Sequence, residues 1–255
     1  MKVFLRRLAE CLLGAKRAEV LAFWQAYRRG RLTQNAYYNE LTVLAIARAV
    51  TPGTVCLDVG AHRGTVLREM QRVAPQARIH AFEPLPEQAA FLRVKYAGPQ
   101  VVVHNLALGD AAGTAEFHHV VTNPGYSGLR RRQFDREHEE VQVIRVETAR
   151  MDERVPAEEH VSFIKVDVEG AELQVFQGGA GTIRRCRPVI VFEHGKGSAD
   201  VYGTTPETVF DLLSGELGLK LSLLDRWLFG WGALSRRQFV REYRAHRNYY
   251  FVAYP

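Results

Sequence analysis

Carboxylates stand at or near the ends of four apolar runs in this chain, beside glycines and a histidine that suit ligand chemistry. The first stretch is Thr54 to Gly64, TVCLDVGAHRG. Val55, Cys56 and Leu57 lead to Asp58, Gly60 and Gly64 flank a short turn, and VLREMQRV follows with helical spacing. That pattern predicts a buried strand, a glycine turn and a helix start. Glycine has no Cβ, so such a turn lets backbone N–H groups come close to a ligand. The helix N-terminus adds a partial positive charge that suits a carboxylate or phosphate. A second run, RIHAF, ends at Glu83, nineteen positions after Gly64. In nucleotide-binding βαβ units an acid about that far on accepts hydrogen bonds from ribose hydroxyls. The third run leads to Asp167, Glu169 and Glu172, and the fourth to Glu193 and His194.

The dinucleotide fingerprint requires G-x-G-x-x-G. Here Asp58 occupies its first position, and Gly60 and Gly64 have the wrong spacing. An NAD-dependent oxidoreductase on the same kind of sheet is therefore the weaker reading. D-x-G-x-x-x-G with a strand-end acid instead resembles the class I S-adenosylmethionine methyltransferases.

Positioning these residues requires alternating strands and helices. Strands are predicted at 54–59, 78–82, 101–109, 161–168 and 188–193, with helices at 65–73, 87–96, 171–183 and 204–213. The near-continuous apolar run 161–168 suits a central parallel strand. The segments 114–121 and 141–149 break the rhythm: both are β-rich, with a turn and a charged stretch between them. They predict a β-rich insertion over 114–150 carrying a loop, where Asn123, Tyr126 and Ser127 are candidates for acceptor contact. Two final strands are expected at 219–231 and 248–254, joined by a short Arg-rich link as an antiparallel pair. Lys165 shares a strand face with Asp167 and is expected to neutralise it. Residues 3–29, with an interruption near Gly14, and 36–49 have helical spacing. They form a helical extension over 1–50 that covers a sheet edge or pairs with a second subunit in a homo-oligomer. Residues 51–255 form the catalytic domain.

The 255 residues suit one large α/β domain, and a 47% hydrophobic share allows a full core. Cys11, Cys56 and Cys186 have no metal-site spacing and read as reduced thiols. The net charge of +6 and pI of about 9.3 allow anionic partners without requiring them. The excess is concentrated toward the ends, with nine Lys/Arg against three acids in residues 1–50. That suggests RNA methylation as an alternative. No aromatic-basic platform or separate RNA-binding module accompanies it, so nucleic acid is not the expected partner. Arg6, Arg7, Glu10 and Lys16 interrupt the N-terminal apolar runs, and no segment approaches the ~18 apolar residues of a membrane span. A cytoplasmic protein is expected.

Five segments, DVGAHRG (58–64), HAFEPLPE (80–87), NLALGD (105–110), IKVDVEGAELQVFQGG (164–179) and PVIVFEHG (188–195), are similar in order and separation to the FkbM family of methyltransferases. One departure is His62, where that family more often has Asn. The resemblance implies S-adenosylmethionine-dependent O-methylation of a carbohydrate or natural-product hydroxyl. It also implies a Rossmann-like, doubly wound sheet in the order 3-2-1-4-5-7-6 with the last strand antiparallel. On it, Asp58, Gly60, Ala61, His62, Gly64, Glu83, Pro84, Asn105 and Ala107 would surround the cofactor. Asp167, Glu169, Glu193 and His194 would face the acceptor. His194 and Asp167 are the candidates for the base that removes the hydroxyl proton. Asp167 and Glu193 would suit a divalent ion such as Mg²⁺, whose presence the sequence leaves open. A protein that keeps the fold without catalysis is opposed by these intact strand-end acids.

Overall fold

The computed structural model describes residues 14–96, 98–134 and 138–255. The expected helix at the start of the chain lies partly outside this range. Helix α1 (Ala15–Arg28) precedes α2 (Gln34–Ala49), where the Thr33 hydroxyl caps the first turn by accepting from the Ala36 amide at 3.2 Å. Strand β1 (Val55–Val59) leads into α3 (Thr65–Val73), β2 (Arg78–Phe82), α4 (Pro86–Lys95) and β3 (Val101–His104).

A second, three-stranded sheet interrupts this alternation. It holds β4 (Ala107–Gly109), β5 (Gly113–Val120) and β6 (Val141–Arg150) in the order β4-β6-β5, with β5 and β6 antiparallel. The single strand expected over 101–109 is therefore two strands in two sheets. Asn105 marks the break: its amide donates to the carbonyls of Glu83 and Pro84 at 3.0 and 2.9 Å and draws the chain out of the ladder.

After the short helix α5 (Met151–Arg154) the alternation resumes with β7 (Val161–Val166), α6 (Glu172–Gly178), α7 (Ala180–Cys186), β8 (Val189–Glu193) and α8 (Pro206–Phe210). The C-terminal part departs from the expected strand pair. Strand β9 is only Lys220–Ser222; the helices α9 (Leu224–Phe229) and α10 (Arg236–Arg244) follow before β10 (Tyr250–Tyr254). Leu224, Trp227 and Leu228 are buried at helical spacing, as are Phe239 and Tyr243. The Ser235–Gln238 capping box starts α10. The Arg-rich link is thus a helix with its basic residues on the outer face.

The main sheet runs β3-β2-β1-β7-β8-β10-β9, which is 3-2-1-4-5-7-6 when its own seven strands are numbered along the chain. Strand β10 is antiparallel to both neighbours. Helices cover both faces. One layer packs Phe176, Ile183, Leu213 and Phe239 on the sheet, and the other packs Leu41, Leu67, Leu92 and Trp227. Helix α2 belongs to the second layer and crosses β7 and β8, so this helix of the extension is part of the core. Among the described residues no helix is long and apolar enough to cross a membrane, and Cys56 and Cys186 are buried free thiols.

The register positions the site. Val59 pairs with Phe82 on one side and Val166 on the other, and Val166 pairs with Phe192. Gly60, Glu83, Asp167 and Glu193 each follow by one residue. They therefore stand in a row along the carboxyl edge of the parallel strands, where open α/β sheets bind ligands.

Candidate active site

The glycine turn after β1 is held by packing. Gly60 has φ +84°, and a Cβ there would lie 1.8 Å from the Asp167 carbonyl oxygen. Gly64, the left-handed N-cap of α3 at φ +75°, would place a Cβ 2.4 Å from the Tyr96 ring. The two glycines let β1 and α3 close onto β7 and α4. Gly60 also lines the adjoining cavity, whereas Gly64 and Ala61 lie outside its lining. Asp58 is 1% exposed with Oδ2 unpartnered among the described residues. Burial pushes its carboxyl up to about 7, with Lys165 opposing. It sits behind the turn rather than in the cavity, which the strand alternation explains: Val59 intervenes before the chain reaches the edge.

Two neighbouring cavities lie along the strand ends. The first, about 180 Å³, has an apolar side built from Val59, Phe82, Leu106, Leu108, Phe117 and Leu129. Its polar end carries His62 and Glu83, with Pro84 and Ala107 beside them. Glu83 is 4% exposed. Its Oε2 accepts from the His62 amide at 2.7 Å and its Oε1 from the Leu85 amide at 2.9 Å. Burial pushes this carboxyl up to about 7 against those two amides. His62 holds φ +46°, and its buried Nε2 has no partner among the described residues. Asn105 holds the Glu83–Pro84 loop from behind and is not part of the lining.

The second cavity, about 470 Å³, is lined by Asp167, Glu169, Glu193, Arg132, Tyr250 and residues of α2 and the 243–249 segment. Asp167 and Glu169 line both cavities. Oδ2 of Asp167 receives Lys165 Nζ at 2.9 Å and the Tyr250 hydroxyl at 2.5 Å, which confirms the expected Lys165–Asp167 pair. Glu169 pairs with Arg132, whose guanidinium also lies 4.3 Å from the Tyr126 ring centroid. Burial opposes ionisation of Asp167, but Lys165 and hydrogen bonds from Glu193 and Tyr250 outweigh it, so its carboxyl is held low. Glu193 is raised by burial and by Asp167 and Glu169, and Glu169 is raised by burial and Asp167. Carboxylates this close share a proton instead of both ionising. Oxygens of Asp167, Glu169 and Glu193 lie within 4.8 Å of one another, a spacing compatible with a divalent ion. Lys165 and Arg132 place positive charge against Asp167 and Glu169.

His194 is 0% exposed and lies 4.6 Å from Tyr243 and 6.2 Å from Phe239 between ring centroids. Burial lowers it to about 3. One residue beyond Glu193, it points into the helix layer and does not reach either cavity, so the geometry gives it no hydroxyl proton to accept. Glu172 has a structural role: its Oε1 accepts from the Gly170 and Val168 amides at 3.0 and 3.3 Å. In the insertion Tyr126 lines the second cavity and Ser127 the first, while Asn123 lines neither. Tyr250, Arg132, Tyr38 and Asn35 join the site without a signal in the sequence, since an aromatic or amide at a strand or helix end carries no motif.

Comparison with known proteins gives the family. The family model described as the methyltransferase FkbM domain matches residues 58–215. The 2-O-methyltransferase NoeI of Sinorhizobium fredii is 30% identical over 155 residues, covering 53% of this chain and 61% of that protein. The crystal structure of methyltransferase FkbM from Methylobacillus flagellatus KT covers 94% of this chain and 60% of its own, with 14% identity and a TM-score of 0.49. Precorrin-6y C5,15-methyltransferase from Geobacter metallireducens has 15% identity and a TM-score of 0.44, covering 76% of this chain and 77% of its own. This chain thus spans less than two thirds of the length of NoeI and of the Methylobacillus protein. The family match opens at Asp58, runs over more than half of the chain and takes in all the strand-end acids, from Glu83 to Glu193. The protein is a member of the FkbM methyltransferase family.

Proposed function

We propose that this protein is an S-adenosylmethionine-dependent O-methyltransferase whose acceptor is a hydroxyl of a carbohydrate or natural product. The supporting observation is the position of Asp167, an anionic carboxylate at the junction of two cavities. The first cavity suits an adenosyl nucleoside. It offers an apolar slot for a base, a buried carboxylate for the ribose hydroxyls and the unpartnered Nε2 of His62. Glu83, Pro84, Ala107, Gly60 and His62 are the residues that would hold it, with Asn105 fixing the loop. When bound, S-adenosylmethionine supplies an electrophilic methyl carbon on a sulfonium.

The chain's own residues do the rest. The second cavity positions the acceptor so that its hydroxyl meets Asp167, which converts a bimolecular encounter into an oriented one. Asp167 takes the hydroxyl proton as the oxygen gains its methyl group. Lys165 and Tyr250 hold Oδ2, which fixes the carboxylate's orientation and keeps it anionic until transfer. Glu193 and Glu169, both biased toward the protonated state, limit the negative charge around it.

The test combines binding and transfer. Calorimetry with S-adenosylhomocysteine, S-adenosylmethionine and NAD identifies the cofactor, and tight NAD binding without S-adenosylhomocysteine binding sinks the proposal. Mass spectrometry of glycans and metabolites incubated with isotope-labelled S-adenosylmethionine identifies the acceptor. Asp167→Asn is expected to lower turnover by about 10²-fold or more while S-adenosylhomocysteine affinity stays within about threefold.

A further inference from the structure

The two cavities draw on different parts of the chain. Every described residue that lines the first falls between Val59 and Ala171, inside the family segment 58–215. More than half of those lining the second lie outside that segment, on α2 (Asn35, Tyr38, Asn39) and between Tyr243 and Tyr250. The cavity proposed for the cofactor therefore lies wholly within the family segment. Most of the wall of the other comes from segments on either side of it.

That outer wall is made as one unit. Gln34 Nε2 donates to the Tyr38 hydroxyl at 2.7 Å and to the Arg247 carbonyl at 2.8 Å. The Tyr38 hydroxyl donates to Asn248 Oδ1 at 3.0 Å. The Tyr38 ring stacks on Tyr250 at 4.9 Å and meets Tyr249 edge-on at 5.0 Å. Across the wall the Tyr249 hydroxyl donates to Asn35 Oδ1. Tyr38 and Asn248 are thus committed to holding α2 against the strand. Asn35 still has its two amide hydrogens free to donate, and the Asn39 amide has no partner among the described residues. Amides of this kind, next to aromatic edges and carboxylates, can donate to and accept from the several hydroxyls of a polyol ring.

We infer that Asn35, Asn39 and Tyr249 are the acceptor-selecting residues, reading hydroxyls of a pyranose ring whose reacting oxygen lies at Asp167. This rests on the methyl-transfer reading above. Asn35 and Tyr249 act together, because their mutual bond sets which of their polar atoms face the cavity. None of the three touches the reacting atoms, so they govern acceptor affinity and choice rather than the chemical step.

The test uses the full-length protein, isotope-labelled S-adenosylmethionine and a panel of methyl glycosides of hexopyranoses and 6-deoxyhexopyranoses. Asn39→Ala removes an exposed amide, and Tyr249→Phe removes only a hydroxyl; neither threatens folding, and melting temperature checks this. The expected result is a KM for the best glycoside raised by about fivefold or more and a changed ranking across the panel, with kcat and S-adenosylhomocysteine affinity within about twofold. Asn39→Gln is expected to restore part of the lost affinity. An unchanged ranking and KM in both variants overturns the inference. S-adenosylhomocysteine binding with no transfer to any glycoside also overturns it and leaves the methyltransferase reading in place. Absence of S-adenosylhomocysteine binding removes that reading, and this inference with it.

Discussion

The Tyr250 hydroxyl donates to Oδ2 of Asp167 at 2.5 Å, joining residues 83 positions apart in the chain. The same oxygen receives Lys165, and Lys165 Nζ lies 3.1 Å from the Tyr250 oxygen, so one carboxylate oxygen has two donors. A donor to the charged form lowers a carboxyl pKa. Removing it in Tyr250→Phe therefore raises the pKa of Asp167. A base acts above its pKa, so the acidic limb of the pH–rate profile moves to higher pH. Asp167 stays ionised at neutral pH, so any fall in turnover there, expected to be about tenfold, comes from the lost orientation of the carboxylate, with S-adenosylhomocysteine affinity unchanged. A profile that keeps its acidic limb excludes Tyr250 from setting the base.

Glu83 offers one oxygen to each of two backbone amides, and a glutamine cannot do so. In Glu83→Gln the NH₂ group meets the His62 or Leu85 amide, donor against donor. A side chain displaced in this way also loses its proposed bonds to the ribose hydroxyls, and bonds to a charged group are worth about 1.5–3 kcal/mol, or roughly 10- to 150-fold. Calorimetry should show S-adenosylhomocysteine affinity reduced within that range. An affinity within twofold of the parent would place the nucleoside elsewhere.

His194 makes stability depend on pH. Its folded-state pKa of about 3 lies below the ordinary value of 6.5. Between these values the unfolded chain binds the proton and the folded protein does not. The contribution is complete above pH 6.5 and is lost, by about 1.4 kcal/mol per unit, as pH falls toward 3. Phenylalanine takes no proton, and its ring suits the gap beside Phe239 and Tyr243. The melting temperature of His194→Phe should exceed the parent's by a margin that widens from pH 7.5 to pH 5. Parallel curves would mean that the imidazole is not excluded from water. Transfer activity should be retained, since the ring reaches neither cavity.

Arg132 and Lys165 supply the countercharge for the acidic cluster. Dialysis against EDTA is accordingly expected to leave turnover within about twofold of the untreated protein, and added Mg²⁺ to give no further rise. A rate restored only by a divalent ion would show that Asp167, Glu169 and Glu193 hold a metal after all.

Local periodicity by itself determined the strands and helices of the methyltransferase core and placed Gly60, Glu83, Asp167 and Glu193 at strand ends. Strand alternation put Lys165 beside Asp167. These are short-range properties, carried by hydropathy spacing and turn residues. Tertiary structure decided what alternation does beyond a strand end: Glu193 faces the crevice, while His194, the next residue, turns into the helix layer. It also decided that Gly64 packs against Tyr96, that the run after Ser222 coils into α9 once Leu224, Trp227 and Leu228 find a buried face, and that Asn105 ends β3. The outer wall of the second cavity was beyond any local pattern. Asn35 and Tyr249 meet across 214 positions, because α2 docks on the sheet next to a strand inserted between β8 and β9. A pairing of that kind follows from burial summed over the whole fold, which no spacing in the chain records.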